Sequence, residues 1–387
     1  MFKSSVGHSE DIDSLDAVHD VINQVRANLG GLSPSAGLLF CSISFDHSII
    51  LSCINDAFPA IELIGCSSFG ENSSIGGFSE ESVTLIVFAS DTIKMKAGLG
   101  KGVSADGEKA ANMAVRSAIE ALGESPKLAI ALPESYMTNG ARFVQSLSAA
   151  FDNDTTIVGG FSADPLLLKD TRQFYKNEVL TDCVPVLVFG GPILFSIGRE
   201  SGWAPLGHEA TITRSEGNIV REIDMKPATE YFGKYLGPSQ GGVTEYGDYP
   251  LMVRENDEVD FCLRSAMSAD GKTGGIVFLS EIPIGAKVKV CEASRDMVVE
   301  GTRQSVLAAL NSYPGENPAA ALLFSCASRR NVLGTRTKEE VEAVKGSTSS
   351  NVPICGFYTY GEIAPARVGG RTLYNNDTFI TLFVGDK

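Results

Sequence analysis

A heptapeptide of the form Gly-x-x-[Ser/Thr]-[Phe/Tyr]-Gly-Glu closes an apolar run twice in this chain, at Gly65–Glu71 and at Gly356–Glu362. Between them, Gly159-Gly160-Phe161-Ser162-Ala163-Asp164 keeps the apolar run, the glycine, the hydroxyl and an acid, but lacks the second Gly-Glu. Each copy predicts a buried strand that stops at a glycine, where backbones can approach closely. Hydroxyl, aromatic and carboxylate groups then follow at one rim. Recurrence of a whole cluster constrains the fold before any single element does.

The same order of elements surrounds the motifs. Leu38–Cys41 reads as a strand, Ser48–Phe58 as a helix and Ile61–Ile64 as the strand delivering the first motif, with Ser73–Glu81 a loop. Val83–Phe88 and Ile93–Ala97 then flank Ser90-Asp91 as a predicted hairpin. A helix at Gly107–Leu122, a strand at Leu128–Leu132, a helix at Asn139–Phe151 and a strand at Thr156–Val158 repeat the series. A second predicted hairpin, Val184–Phe189 with Ile193–Ile197, turns at Gly190-Gly191-Pro192. Ahead of all this, Ser14 or Asp16 caps an amphipathic helix that Gly30-Gly31 ends.

The second half matches the first at larger scale, with Ile86–Phe88 set against Ile276–Phe278 and Gly160 against Gly356. Helical crossovers make parallel strand pairs and short turns make antiparallel ones. The expected fold is therefore mixed α/β (α+β): two related lobes, joined near Phe195–Thr211, whose mixed sheets are covered by helices. Those sheets either stack as αββα layers or run on as one. The expected divisions are an N-terminal helix at 1–30 and domains at 31–200 and 201–387, with Gly237–Gly247 a flexible loop.

Charge and cysteine usage narrow the function. Forty-seven acids against 32 bases give −15 over 387 residues, and no basic cluster is present to meet a phosphate backbone, so no nucleic-acid partner is expected. No apolar window approaches the length of a membrane span and no leader pattern opens the chain, so the expectation is a cytoplasmic protein without a membrane partner. The eight cysteines are scattered, without a C-x-x-C pair or zinc spacing, as buried free thiols would be. Cys326 is the one to watch, because Arg329 three residues on can lower a thiol pKa. The four histidines share no motif, and no nucleophile elbow, phosphate loop or dinucleotide fingerprint occurs. A binding protein is favoured over an enzyme, with a cysteine-dependent enzyme built on Cys326 as the alternative.

These residues resemble the FIST family. The resemblance rests on Ile64–Glu71, the 159–164 element, Gly202-Trp203-Ala204-Pro205-Leu206-Gly207, the C-x-x-R at Cys326 and Arg329, and Pro353–Ile363, and it spans nearly the whole chain as an N-terminal and a C-terminal FIST domain. It implies a prokaryotic sensory, ligand-binding protein of signal transduction that binds small molecules such as amino acids. Some family members bind haem and sense nitric oxide. The output domain of multidomain members is not recognisable here, so the expected partner is a separate signalling protein such as a histidine kinase or a chemotaxis component.

The expected ligand site lies between the lobes. Arg329 would fork onto a ligand carboxylate and Glu71 or Glu362 would receive an ammonium. Ser67, Ser162 and Thr359, placed at equivalent motif positions, would orient the ligand, and Phe161, Phe357 and Tyr358 would wall the pocket. Gly65, Cys66, Gly160, Asp164, Cys326 and Gly356 complete it. Trp203 is either a ligand platform or a wedge between the lobes. No cofactor is expected; haem is the alternative, with His208 its best-placed axial ligand.

Overall fold

The structure is a computed structural model that describes residues 1–135, 139–152, 154–236, 246–255, 260–271, 273–348, 351–367 and 370–386. Its chain runs three times through one series. The first pass is β1 (Phe2–Ser9), α1 (Ser14–Leu29), β2 (Ala36–Cys41), α2 (His47–Ala57), β3 (Glu62–Ser67), the hairpin β4 (Glu71–Ser73) and β5 (Gly77–Ser79), and β6 (Val83–Ser90). The second is β7 (Met95–Lys101), α3 (Gly107–Leu122), β8 (Leu128–Ala131), α4 (Gly140–Ala150), β9 (Thr156–Gly160), the hairpin β10 (Gln173–Tyr175) and β11 (Glu178–Leu180), and β12 (Cys183–Phe189).

The third pass opens with β13 (Leu194–Glu200) and is then interrupted. An inserted nine-stranded sheet with helix α5 (Ala228–Leu236) intervenes before α6 (Arg295–Ser312), β14 (Ala320–Cys326), α7 (Ala327–Leu333), α8 (Lys338–Ser347) and β15 (Ile354–Thr359). The hairpin β16 (Glu362–Pro365) and β17 (Thr372–Asn375) follows, and β18 (Phe379–Gly385) ends the series.

Three six-stranded sheets share one strand order. They read β1-β6-β2-β3-β10-β11, β7-β12-β8-β9-β16-β17, and β13-β18-β14-β15-β4-β5. In each, the two central strands are parallel and the flanking ones antiparallel. Each hairpin leaves its own pass and completes the sheet of another: β4-β5 joins β15, β10-β11 joins β3, and β16-β17 joins β9. The inner faces of all three sheets meet in one apolar core that includes Phe40, Phe88, Phe189 and Phe357. Helices cover the outer faces, α1 and α2 on the first sheet, α3 and α4 on the second, α6 and α8 on the third. The mixed α/β class holds; the layering is three sheets around a common core.

Several elements differ from their sequence-based expectations. Val83–Phe88 and Ile93–Ala97 do not form a hairpin, since β6 pairs with β1 and β2 while β7 pairs with β12 in another sheet. The same holds around Gly190-Gly191-Pro192, where β12 pairs with β7 and β8 but β13 pairs with β18. In both places the chain steps from one sheet to the next. β1 was hidden by its polar residues, and the loop expected at Ser73–Glu81 holds the β4-β5 hairpin. Asp13, not Ser14 or Asp16, caps α1, its side chain accepting from the Leu15 and Asp16 N–H groups. Ile276–Phe278 lies in the inserted sheet and so is no counterpart of Ile86–Phe88 in β6. In the inserted sheet Ala210–Glu216 pairs with Ile219–Ile223 as a hairpin, while most of the loop expected at Gly237–Gly247 falls outside the described residues.

Register explains why the motifs need their first glycine. Gly65, Gly159 and Gly356 sit opposite Leu39, Ala131 and Leu323 on the parallel neighbour. A Cβ there would lie 2.2, 2.0 and 2.3 Å from those residues' carbonyl oxygens. The counterpart of Gly356 is thus Gly159, one residue before the Gly160 inferred from sequence. Overpacking costs about 1–3 kcal/mol, and a backbone obstacle cannot rotate away, so Gly356→Ala should lose about 3 kcal/mol in urea unfolding. A loss under about 0.5 kcal/mol would contradict the close approach.

Candidate functional site

The three motifs meet and pair through their backbones. Phe69 N–H donates to Tyr358 O (3.1 Å) and Tyr358 N–H to Gly70 O (2.9 Å), joining the first to the third. Ala163 N–H donates to Ser67 O (2.9 Å), joining the second to the first, and Phe161 N–H to Gly361 O (2.9 Å), joining the second to the third. The rim expected from the sequence is therefore a closed knot with its polar groups buried. Phe69, Ala163, Tyr358 and Tyr360 form a small apolar cluster at its centre.

Equivalent positions follow from register. Glu71, Gln173 and Glu362 each open a hairpin strand, opposite Phe357, Cys66 and Gly160. That pairing makes Ser68, not Ser67, the counterpart of Ser162 and Thr359. Ser68 donates to Glu71 Oε1 and Ser82 Oγ to its Oε2 at 2.6 Å. In the third motif Thr359 Oγ1 lies 2.8 Å from Glu362 Oε1, and Thr378 Oγ1 donates to Oε2 at 2.8 Å. In the second, a neutral amide takes the place of the acid, Gln173 Nε2 donating to Ser162 Oγ at 2.9 Å and to Glu134 Oε2 at 3.2 Å. Burial pushes the carboxyls of both Glu71 and Glu362 up to about 8.

The geometry around Glu362 fits a protonated acid. Thr359 Oγ1 accepts from the Gly361 N–H at 3.0 Å and lies 2.9 Å from Gly361 O as well as 2.8 Å from Glu362 Oε1. Its one proton can serve only one of those two oxygens. If Glu362 is neutral, it donates to Thr359, Thr359 donates to Gly361, and all three groups are satisfied. Neither glutamate is thereby placed to receive a ligand ammonium.

Arg329 is likewise committed. Fully buried, it donates through Nε and Nη2 to Glu340 Oε1 at 2.9 and 2.8 Å, through Nη2 to Val298 O at 2.9 Å, and through Nη1 to Ser201 O. Glu340 Oε2 accepts from Tyr358 Oη at 2.6 Å and Ser325 Oγ at 3.0 Å. The fork expected for a ligand carboxylate is occupied by the protein's own. The neighbouring Arg330 reaches the first motif instead, its guanidinium 3.6 Å from the Phe69 ring centroid and paired with Glu80 at 2.7 Å.

Other expected residues fall inside the protein too. Ser67 Oγ donates to Ala163 O, Phe357 stacks on Phe40 in the central core, and Phe161 packs edge-on against Tyr374. Cys66 is buried. Burial, with Glu362 and Asp377 nearby, drives the Cys326 thiol well up, so Arg329 does not activate it. Trp203 wedges between the inserted sheet and α6 beside Leu263 and Val298, its Nε1 donating to Asp248 O at 3.3 Å. His208 is exposed.

Asp164 organises the second motif's loop. Its carboxylate accepts the N–H groups of residues 167–170, and Tyr360 Oη donates to its Oδ1 and lies 2.6 Å from its backbone O. Although burial opposes ionisation, the Lys169 amide, the Tyr360 hydroxyl and the Asp170 and Leu168 amides hold its pKa below the ordinary value.

On its other side Tyr360 borders a cleft of about 470 Å³ between the three-sheet core and the inserted sheet. Tyr374, Leu168, Ser135 and Asn139 line it from the core. Asn218, Met267 and Phe278–Ser280 line it from the insert. Ser280 Oγ ties the walls together, donating to Asn139 Oδ1 at 2.9 Å and accepting from Ala141 N–H at 3.0 Å. Arg142 and Glu281 pair beside it at 3.3 Å. Of the expected ligand residues none lines this cleft, although Tyr360 belongs to the final heptapeptide. The [Ser/Thr] position of the motif pattern pointed to Ser68, while no local signal marked Asn139, Asn218 or Ser280.

The FIST N domain family model matches residues 35–226 and the FIST C domain model residues 228–365. The chain belongs to the FIST family. FIST domains are sensory, small-ligand-binding domains of signal transduction. An uncharacterised Mycobacterium tuberculosis protein is 24% identical over 394 residues, covering 98% of this FIST chain and 99% of its own. An uncharacterised Mycobacterium bovis protein is 23% identical over 392 residues, with 97% of each chain covered. An uncharacterised Methanocaldococcus jannaschii protein is 33% identical over 97 residues, 25% of this chain and 18% of that one. Among solved structures, a cyanuric acid hydrolase from A. caulinodans aligns with TM-score 0.41 at 10% identity, covering 100% of this chain and 99% of that one. Among the described residues no helix is long and apolar enough to cross a membrane.

Proposed function

We propose that this FIST protein is a cytoplasmic sensor whose small ligand binds in the cleft between the three-sheet core and the inserted sheet, and that it acts by binding and not by catalysis. The observation that carries the reading is the cleft's construction. Its walls come from the start of α4, the final motif and hairpin, and the inserted sheet, so an occupant touches both the core and the insert. Small-molecule sites favour such junctions, with apolar walls and a few fixed polar groups. A ligand that holds these walls together changes the free energy of their separation, which a separate signalling protein such as a histidine kinase or a chemotaxis component would read.

The amino-acid site built on Arg329, Glu71 and Glu362 has less support, since each already has buried partners of its own. A thermal-shift screen of small molecules tests the location. A ligand at a hundredfold excess over Kd stabilises by about 2.7 kcal/mol. Met267→Trp, which fills the cleft, should abolish the shift. A hit that binds this variant unchanged places the ligand elsewhere.

A further inference from the structure

The cleft's chemistry selects among small molecules. None of the described side chains that line it carries a formal charge. The charged groups nearest the walls stand behind aromatic rings and do not enter the described lining. Behind Tyr360 sits the ionised Asp164, which would repel an anion approaching the phenol oxygen. Against Tyr374 sits the Arg264 guanidinium, 5.2 Å from the ring centroid, which would repel a cation stacked on that ring. A charged ligand would lose its hydration without direct contact to a charged side chain of the described lining, which disfavours it relative to a neutral one.

The polar groups have defined roles. Asn139 Oδ1 accepts from Ser280 Oγ and from Arg142 N–H, which leaves its Nδ2 to donate. Asn218 Nδ2 donates to Phe278 O at 2.9 Å, which leaves its Oδ1 to accept. Ser135 Oγ is buried and has no hydrogen-bond partner among the described residues. Buried polar atoms are nearly always paired, so an orphan at a cleft wall is a vacancy for a ligand group. Leu168, Met267 and Phe278 supply apolar surface for the rest of the molecule.

We propose that the cleft takes an uncharged molecule bearing both a hydrogen-bond donor and an acceptor on an apolar or aromatic frame, such as a carboxamide or a lactam heterocycle, in preference to a carboxylate, an amine or a zwitterionic amino acid. The inference rests on the cleft being the ligand site. It extends that reading from place to chemical class.

The test is calorimetric titration of the full chain with matched triads: an amide, its acid and its amine on aromatic and aliphatic frames, beginning with nicotinamide, nicotinate and 3-picolylamine. The amide of at least one triad should bind at least about tenfold more tightly than its charged counterparts. Asn139→Asp should remove that binding, because it keeps the oxygen that caps α4 and replaces only the donor nitrogen. Met267→Trp should remove it as well. Charged members that bind more tightly than the amide, and lose binding in Met267→Trp, overturn the proposed class while leaving the cleft in place. Binding that Met267→Trp leaves intact, or no binding by any triad, overturns the cleft and the class together.

Discussion

Replacing both Glu71 and Glu362 with glutamine should flatten the fall in stability that the wild type shows as pH rises from 5 to 8. Each carboxyl is fully buried with hydroxyl partners and is pushed up to about 8 by that burial. In the unfolded chain it ionises near 4.5. Between those values the folded state binds one more proton per glutamate than the unfolded state. The stabilisation is thus fully present below the unfolded pKa and is lost as pH climbs through the folded one. The slope approaches about 1.4 kcal/mol per pH unit for each group, on the order of 4 kcal/mol per residue across the window.

Glutamine is the natural control, because Gln173 occupies the equivalent position in the second motif. There its second amide hydrogen has Glu134 as acceptor. The first and third positions show no counterpart of that contact, so the variant should pay about 1–2 kcal/mol at pH 5 and overtake the wild type by pH 8. Urea midpoints at several pH values measure this directly. A constant difference between variant and wild type from pH 5 to 8 would show that both glutamates are ionised in the fold.

Glu340→Ala is expected to cost about 3–5 kcal/mol, because it strands a buried guanidinium whose Nε loses its acceptor and whose Nη2 keeps only neutral ones. Tyr358, Ser325 and Thr302 lose an acceptor in the same step. Removing both charges, as Arg329→Met with Glu340→Leu, should recover part of that loss, since an apolar pair need not be desolvated as ions. The recovery stays partial while Tyr358 keeps its hydroxyl, and adding Tyr358→Phe should increase it. Equilibrium unfolding in urea ranks the four proteins. A single-variant cost below about 1 kcal/mol would mean that water reaches the pair and that the Arg329 network is not closed.

Between them, these two networks show why the recurring motifs look like a binding surface in the sequence. Residue type signals that a hydroxyl and a carboxylate belong together, and Ser68 with Glu71 and Thr359 with Glu362 do pair. It does not signal which way they face. A carboxylate facing a ligand and one buried against two hydroxyls have the same local sequence, and only the sheets that enclose them distinguish the two.

What local physics controls was legible in the residues alone. Apolar spacing placed α1 and α3, Gly30 and Gly123 ended them in the left-handed region, and the first glycine of the two heptapeptides marked where parallel strands come too close for a side chain. Only the tertiary structure decided the rest. Whether β6 turns back on β7 or leaves for another sheet depends on partners far away in sequence, as when β4 pairs with β15 some 280 residues on. Asn139, Asn218 and Ser280 become one cleft because the inserted sheet folds back onto α4. Hydrophobic period and helix caps are properties of a few neighbouring residues, whereas strand partnership and the facing of a polar group are settled by which packing of the whole chain buries the most apolar surface with every polar group paired.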